Sequence, residues 1–169
     1  LMAGLAIGGA LGGRRADLAD SPMSLFAYCE LGIGAAGIVS VPLIYQLPAV
    51  YLTTYRLFHL RPALFFVVQI LLCASVMLLP TVLMGATFPL ATRAMATTPG
   101  EIGKVVGSAY SLNTLGAVAG SLVAGFLLIP QLGLKGAVAV AGAVNLTVGV
   151  VLLLLVKSLD RVRVVAVAI

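Results

Sequence analysis

From Gly107 to Gly133 the chain reads G-S-A-Y-S-L-N-T-L-G-A-V-A-G-S-L-V-A-G-F-L-L-I-P-Q-L-G, without one charged residue. Wound as an α-helix at about 1.5 Å per residue, this run is longer than the roughly 30 Å hydrocarbon core of a bilayer. Lipid tolerates such a segment because a helix satisfies its backbone polar groups internally. Small residues recur along it at helical spacing. Gly116 and Gly120 form a G-x-x-x-G pair, and Ala117, Ser121 and Gly125 extend the series. A face of this kind lets a neighbouring backbone approach closely, so the segment is expected to be a buried helix in a membrane bundle.

Composition extends this reading to the whole chain. Of the 169 residues, 62% are hydrophobic and 9% are charged, against about 25% charged in a soluble domain; the mean hydropathy is +1.19. The net charge of +5 does not indicate nucleic acid, because the basic residues are scattered between apolar runs and form no patch with aromatic platforms. Cys29 and Cys73 both fall inside apolar runs without metal-ligand spacing and read as buried free thiols.

Apolar segments separated by short polar breaks predict membrane helices near Leu1–Gly13, Met23–Tyr45, Ala63–Ala91, Val105–Ile129 and Gly136–Val156. The expected fold is all-α, a polytopic transmembrane bundle of about five helices occupying residues 1–157. Its first helix is too short to span unaided and reads as truncated. Residues 158–169 form a basic segment leading into an unfinished apolar run that begins at Val164. Residues 46–62, with Tyr45, Tyr51, Tyr55 and Phe58 nearby, read as an interfacial helix between Pro48 and Pro62. Arg14, Arg15, Arg93, Lys104, Lys157, Arg161 and Arg163 fall on one side of the predicted membrane, and Arg56, Arg61 and Lys135 on the other. The excess of positive charge predicts that 14–22, 92–104 and 157–163 are cytoplasmic.

Few residues in the predicted helices carry chemistry. Glu30 is the one acidic side chain within a span, and a carboxyl group there must pair, protonate or face water. It reads either as a proton or cation site, suited to a cationic substrate such as a polyamine, or as a hydrogen-bonding residue that locks two helices. Tyr110 and Asn113 are the other substrate or ion candidates. Asn113 and Asn145 also read as helix glue, worth roughly 1 kcal/mol each. Gly4, Gly8 and Gly12 repeat at four-residue spacing in the first helix, a second close-packing face. Pro80 and Pro89 interrupt the third span, as a hinge or a static bend, with Thr81 or Thr87 placed to bond the freed carbonyls. The single histidine, His59, sits in the outer segment and reads as a solvated interfacial residue. No glycine-rich nucleotide loop, G-x-S-x-G or metal-ligand cluster occurs, so no cofactor, metal or catalytic constellation is expected.

Several motifs resemble known families. The stretch G-G-R-R-A-D-L-A-D-S-P at 12–22 is expected to be a loop, and its Gly13-x-x-x-Asp17 core, with Arg14, resembles the cytoplasmic gating loop of major facilitator transporters. It departs from that pattern in having Leu18 after the Asp and no later glycine. L-M-G-A-T-F-P-L at Leu83–Leu90, G-x-x-Y-x-x-N-T-L-G-A at Gly107–Ala117 and G-F-L-L-I-P-Q-L-G at Gly125–Gly133, with E-L-G-I-G at Glu30–Gly34, resemble the membrane domain of bacterial spermidine-synthase-like proteins. The resemblance runs from about Gly8 to Asn145. It implies a major-facilitator-like bundle in the bacterial inner membrane, joined in that family to a polyamine aminopropyltransferase domain whose catalytic residues are absent from these 169 residues. Such a module would anchor the synthase or handle its polyamine product, with lipid and other membrane helices or subunits as partners. A structural accessory subunit of a respiratory or photosynthetic complex is the alternative. Part of a secondary transporter is a third reading, one that normally needs about twelve helices in paired repeats.

Overall fold

The computed structural model describes residues 1–58, 62–96 and 98–167. His59, Arg61 and the end of the apolar run that starts at Val164 lie outside the described residues. The described chain is all-α: α1 (Met2–Leu18), α2 (Pro22–Phe58), α3 (Pro62–Met95), a 3-10 turn (Pro99–Glu101), α4 (Ile102–Val123), a π-helical segment (Ala124–Leu128) and α5 (Ile129–Val167).

Backbone contact at glycine decides how these helices pack. Along α1, Gly4, Gly8, Gly12 and Ala16 are buried. A β-carbon added at Gly4 would lie 2.8 Å from Thr81 Cβ, one at Gly8 2.8 Å from the Val82 carbonyl carbon, and one at Gly12 2.6 Å from Ala86 Cα. The two backbones therefore touch, and residue numbers rise together on both helices, so α1 and α3 run parallel. The second seam joins α2 and α5 in antiparallel fashion. A β-carbon at Gly34 would sit 2.7 Å from the Gly142 carbonyl oxygen, and one at Gly149 2.7 Å from Leu31 Cγ. Ala27, fully buried, lies on this seam. Between the seams α2 packs against α3, with Gly32 facing Leu83. The helices thus line up as α1, α3, α2, α5, and α1 barely reaches α2.

The far end of α2 is closed by aromatic and cationic contacts. Phe65 meets Tyr51 at 4.2 Å and Tyr55 at 5.2 Å between ring centroids, and Lys135 Nζ stands 3.9 Å above the Tyr45 ring. These contacts explain a correction to the sequence reading. Residues 46–58 are not a separate interfacial helix; α2 continues through Pro42 and Pro48 to Phe58. Each proline costs one backbone bond, but packing of the outer turns against α3 and α5 holds the helix together.

The expected loop at 12–22 is corrected in the same way. Gly12 to Leu18 is helical, because Gly12 and Ala16 are buried against α3; the chain leaves the helix at Ala19, with ψ of 133°, and only residues 19–21 are non-helical. The third correction concerns α4. It has no buried residue, and β-carbons added at Gly116, Gly120 or Gly125 would meet nothing within 4 Å. The glycine face expected to be buried is therefore open within this chain: α4 touches α3 near their connection and meets α5 only through Ala124–Leu128.

The π-helical turn was not anticipated from sequence. It lies one turn ahead of Pro130, whose missing N–H and bulky ring disturb the preceding turn. The Ile129 N–H bonds the Ala124 carbonyl, five residues back. The helical path then breaks at Gly133, with φ of 69° and ψ of 176°, a conformation essentially confined to glycine. This break falls in the polar interval predicted between the last two spans.

Candidate functional site

A cavity of about 500 Å³ lies where α1 and α3 end and α4 begins. It follows from the α1–α3 seam. Burial of Gly12 and Ala16 holds the last turn of α1 against α3, which brings Gly13 and Asp17 to the cavity wall opposite Thr92 and Arg93. Gly13 has nothing within 4 Å of an added β-carbon, so it leaves space where Gly12 removes it. Pro89 forms part of the floor, and Ile102 and Val106 of α4 supply an apolar flank.

Polar groups at this wall differ in what remains available to a ligand. The Thr92 hydroxyl donates to the Phe88 and Pro89 carbonyls at 3.0 and 3.1 Å. Asp17 and Arg93 are both exposed, and among the described residues no ion pair joins them. The cavity can therefore offer a carboxylate acceptor and a guanidinium donor on different helices. Arg14, on the same turn as these groups, is exposed and does not line the cavity.

Other residues singled out by sequence are dispersed. Glu30 is half-buried on α2 and makes no hydrogen bond or ion pair among the described residues. Tyr110 and Asn113 are exposed on α4, and α2 does not touch α4. The three substrate or ion candidates therefore form no common site within the described chain. Asn145 is half-buried on α5 beside Leu146, which packs over Gly34, and its amide makes no hydrogen bond among the described residues. Gly4, Gly8 and Gly12 are packing glycines; Gly116, Gly120 and Gly125 are not packed within this chain.

Pro80 and Pro89 lie inside α3, which is helical throughout. The freed carbonyls, four residues earlier, belong to Val76 and Gly85. Neither candidate threonine bonds them. Thr81 donates to Met77 and Leu78 at 2.9 and 3.0 Å, and Thr87 to Met84 at 2.7 Å. Sequence reasoning missed Gly34, Gly142 and Gly149, whose spacing of seven between the last two is a helical repeat hidden among many other glycines. Cys29 is half-buried and Cys73 exposed, both as free thiols. The Cys73 exposure corrects its reading as buried; it lies beside a second cavity, of about 290 Å³, between α2 and α3. No group of three or more potential metal ligands occurs among the described residues.

Three described helical stretches are long and apolar enough to cross a membrane: Pro22–Arg56, Leu64–Met95 and Ile102–Ser158. Comparison with protein-family models, curated proteins and solved structures finds no match for this chain.

Proposed function

We propose that this chain is an integral membrane module of a spermidine-synthase-like protein, major-facilitator-like in its bundle, which is non-catalytic by itself and anchors the synthase or handles polyamine in a bacterial inner membrane. The observation carrying the membrane part is unburied apolar surface. The most apolar windows of the three long stretches have mean hydropathies of 1.6, 2.4 and 2.5, yet only 6%, 6% and 11% of each is buried inside the chain. Water would penalise that surface at about 25 cal/mol per Å², whereas acyl chains cover it without penalty. The spermidine-synthase-like part rests on the motifs at Leu83–Leu90, Gly107–Ala117 and Gly125–Gly133.

The membrane part is tested by alkaline extraction of membranes from cells expressing the full chain. It is expected to stay in the pellet and to float with lipid on a density gradient; release into the supernatant would end the proposal. The polyamine part is tested in vesicles, where Glu30→Gln is expected to reduce uptake or efflux of spermidine. Unchanged flux would remove transport and leave anchoring.

A second reading, an accessory subunit packed against a larger membrane complex, is favoured by α4, which has no buried residue and whose glycine face meets nothing among the described residues. Co-purification in mild detergent separates the two. A monomer that runs alone rejects the subunit reading.

A further inference from the structure

The cavity of about 290 Å³ between α2 and α3 follows from the antiparallel register of these helices. Tyr51 of α2 meets Phe65 of α3 at 4.2 Å between ring centroids and closes one end. From there the cavity runs back to Ile44 on α2 and forward to Cys73 on α3, about 10 Å at the helical rise. Leu47, Tyr51 and Leu72 are half-buried and form its back, while Pro48 and Gln69 are exposed at an open rim. Three polar groups converge there. Pro48 has no N–H to give the Ile44 carbonyl, and the Tyr51 hydroxyl and Gln69 amide make no hydrogen bond among the described residues.

On the membrane reading above, on which this inference rests, the rim opens onto acyl chains, where an unpaired amide or hydroxyl is costly. A ligand for this place must dissolve in the bilayer. It must be uncharged, because among the described residues no charged side chain lines the cavity. It must also carry acceptors for donors that stand on two different helices. An acyl chain meets the first two requirements and fails the third.

We infer that this cavity binds the head of a membrane quinone, one ring carbonyl accepting from the Tyr51 O–H and the other from a Gln69 N–H, with the tail crossing the rim into lipid. A ring with carbonyls on opposite edges reaches both helices at once. The volume lies near the lower end of the roughly 300–1,000 Å³ of small-molecule sites, which suits a single ring with its tail outside.

Cys73, an exposed free thiol at the rim, reports occupancy, and Cys29, which does not line the cavity, is the internal control. The test follows maleimide labelling of both thiols in the full chain in lipid nanodiscs as decylubiquinone is added; its fully substituted ring leaves no open position for a thiol to attack. At about ten times the half-protecting concentration, Cys73 labelling should slow about tenfold, as mass action leaves few sites free, with Cys29 unchanged. Gln69→Leu and Tyr51→Phe should each raise the half-protecting concentration about two- to tenfold, the worth of one neutral hydrogen bond. Tyr51→Phe keeps the ring that meets Phe65, and circular dichroism confirms that each variant is folded. Decylbenzene has a ring and the same tail without carbonyls, and should protect wild-type Cys73 less well than the quinone at every concentration. No protection by the quinone, equal protection by decylbenzene, or protection unchanged when both residues are replaced overturns the proposal. Alkaline extraction of the same protein reports failure of the membrane reading separately.

Discussion

At the residue scale, a glycine matters here according to what a β-carbon would meet. Gly8 faces the Val82 backbone, which cannot rotate away as a side chain can, so a larger residue must push α1 off α3. Gly8→Leu is expected to destabilise the protein by about 1–3 kcal/mol, the usual range for overpacking, measured by unfolding in mixed micelles. Gly116→Leu belongs to an identical-looking motif on an open face. It should leave stability within about 0.5 kcal/mol or raise it through helix propensity. Equal losses for the two variants would mean that α4 is packed in the mature protein. Thr81 adds a polar residue to the same seam, being only 5% exposed with its hydroxyl on two carbonyls of its own helix. Thr81→Val keeps the shape and removes those bonds, and is expected to cost about 1 kcal/mol, with Thr81→Ser restoring most of it.

At the element scale, continuity and breakage are set by different residues than the motif reading suggests. Four prolines, Pro42, Pro48, Pro80 and Pro89, sit inside helices that continue through them, while the one described backbone break occurs at Gly133. Ile102–Ser158 spans 57 residues, about 85 Å as a straight helix, nearly three bilayer cores. The break at Gly133 divides this length into two arms of membrane-spanning size. A β-carbon is strained at φ of 69° and ψ of 176° whatever space surrounds it. Gly133→Ala is therefore expected to destabilise the chain by about 1–3 kcal/mol and to change the distance between spin labels placed on α4 and α5. An unaltered distance and midpoint would show that the turn does not need glycine.

At the scale of the whole molecule, the antiparallel pairing of α2 with α3 and α5 agrees with alternate crossing of a bilayer. It would put the α1–α2 connection, the Pro99–Glu101 turn and the last described turns of α5 on one side, the side that collects most of the Lys and Arg residues. Alkaline phosphatase fused after Asp20 or Gly100 is expected to be inactive, and fused after Gly133 to be active, in a bacterial host. The reverse pattern would invert the topology. Arg14→Glu with Arg15→Glu should increase the fraction of inverted molecules, since the positive charges nearest the first helices bias insertion.

Helix and the membrane-compatible surface were legible in the residues, because each is a local property. Hydropathy over roughly 20 residues and the spacing of Gly4, Gly8 and Gly12 need no knowledge of neighbours. Which glycine face meets a partner was not legible, since G-x-x-x-G states only that close approach is sterically allowed. The motif is used in α1 and left open in α4, and only the placement of α3 distinguishes them. The same holds for Asp17 and Arg93, far apart in sequence and brought to one cavity by burial of Gly12 and Ala16 on α3. A side chain's type sets what it can bind, whereas the long-range contact that gives it a facing group arises when the helices pack.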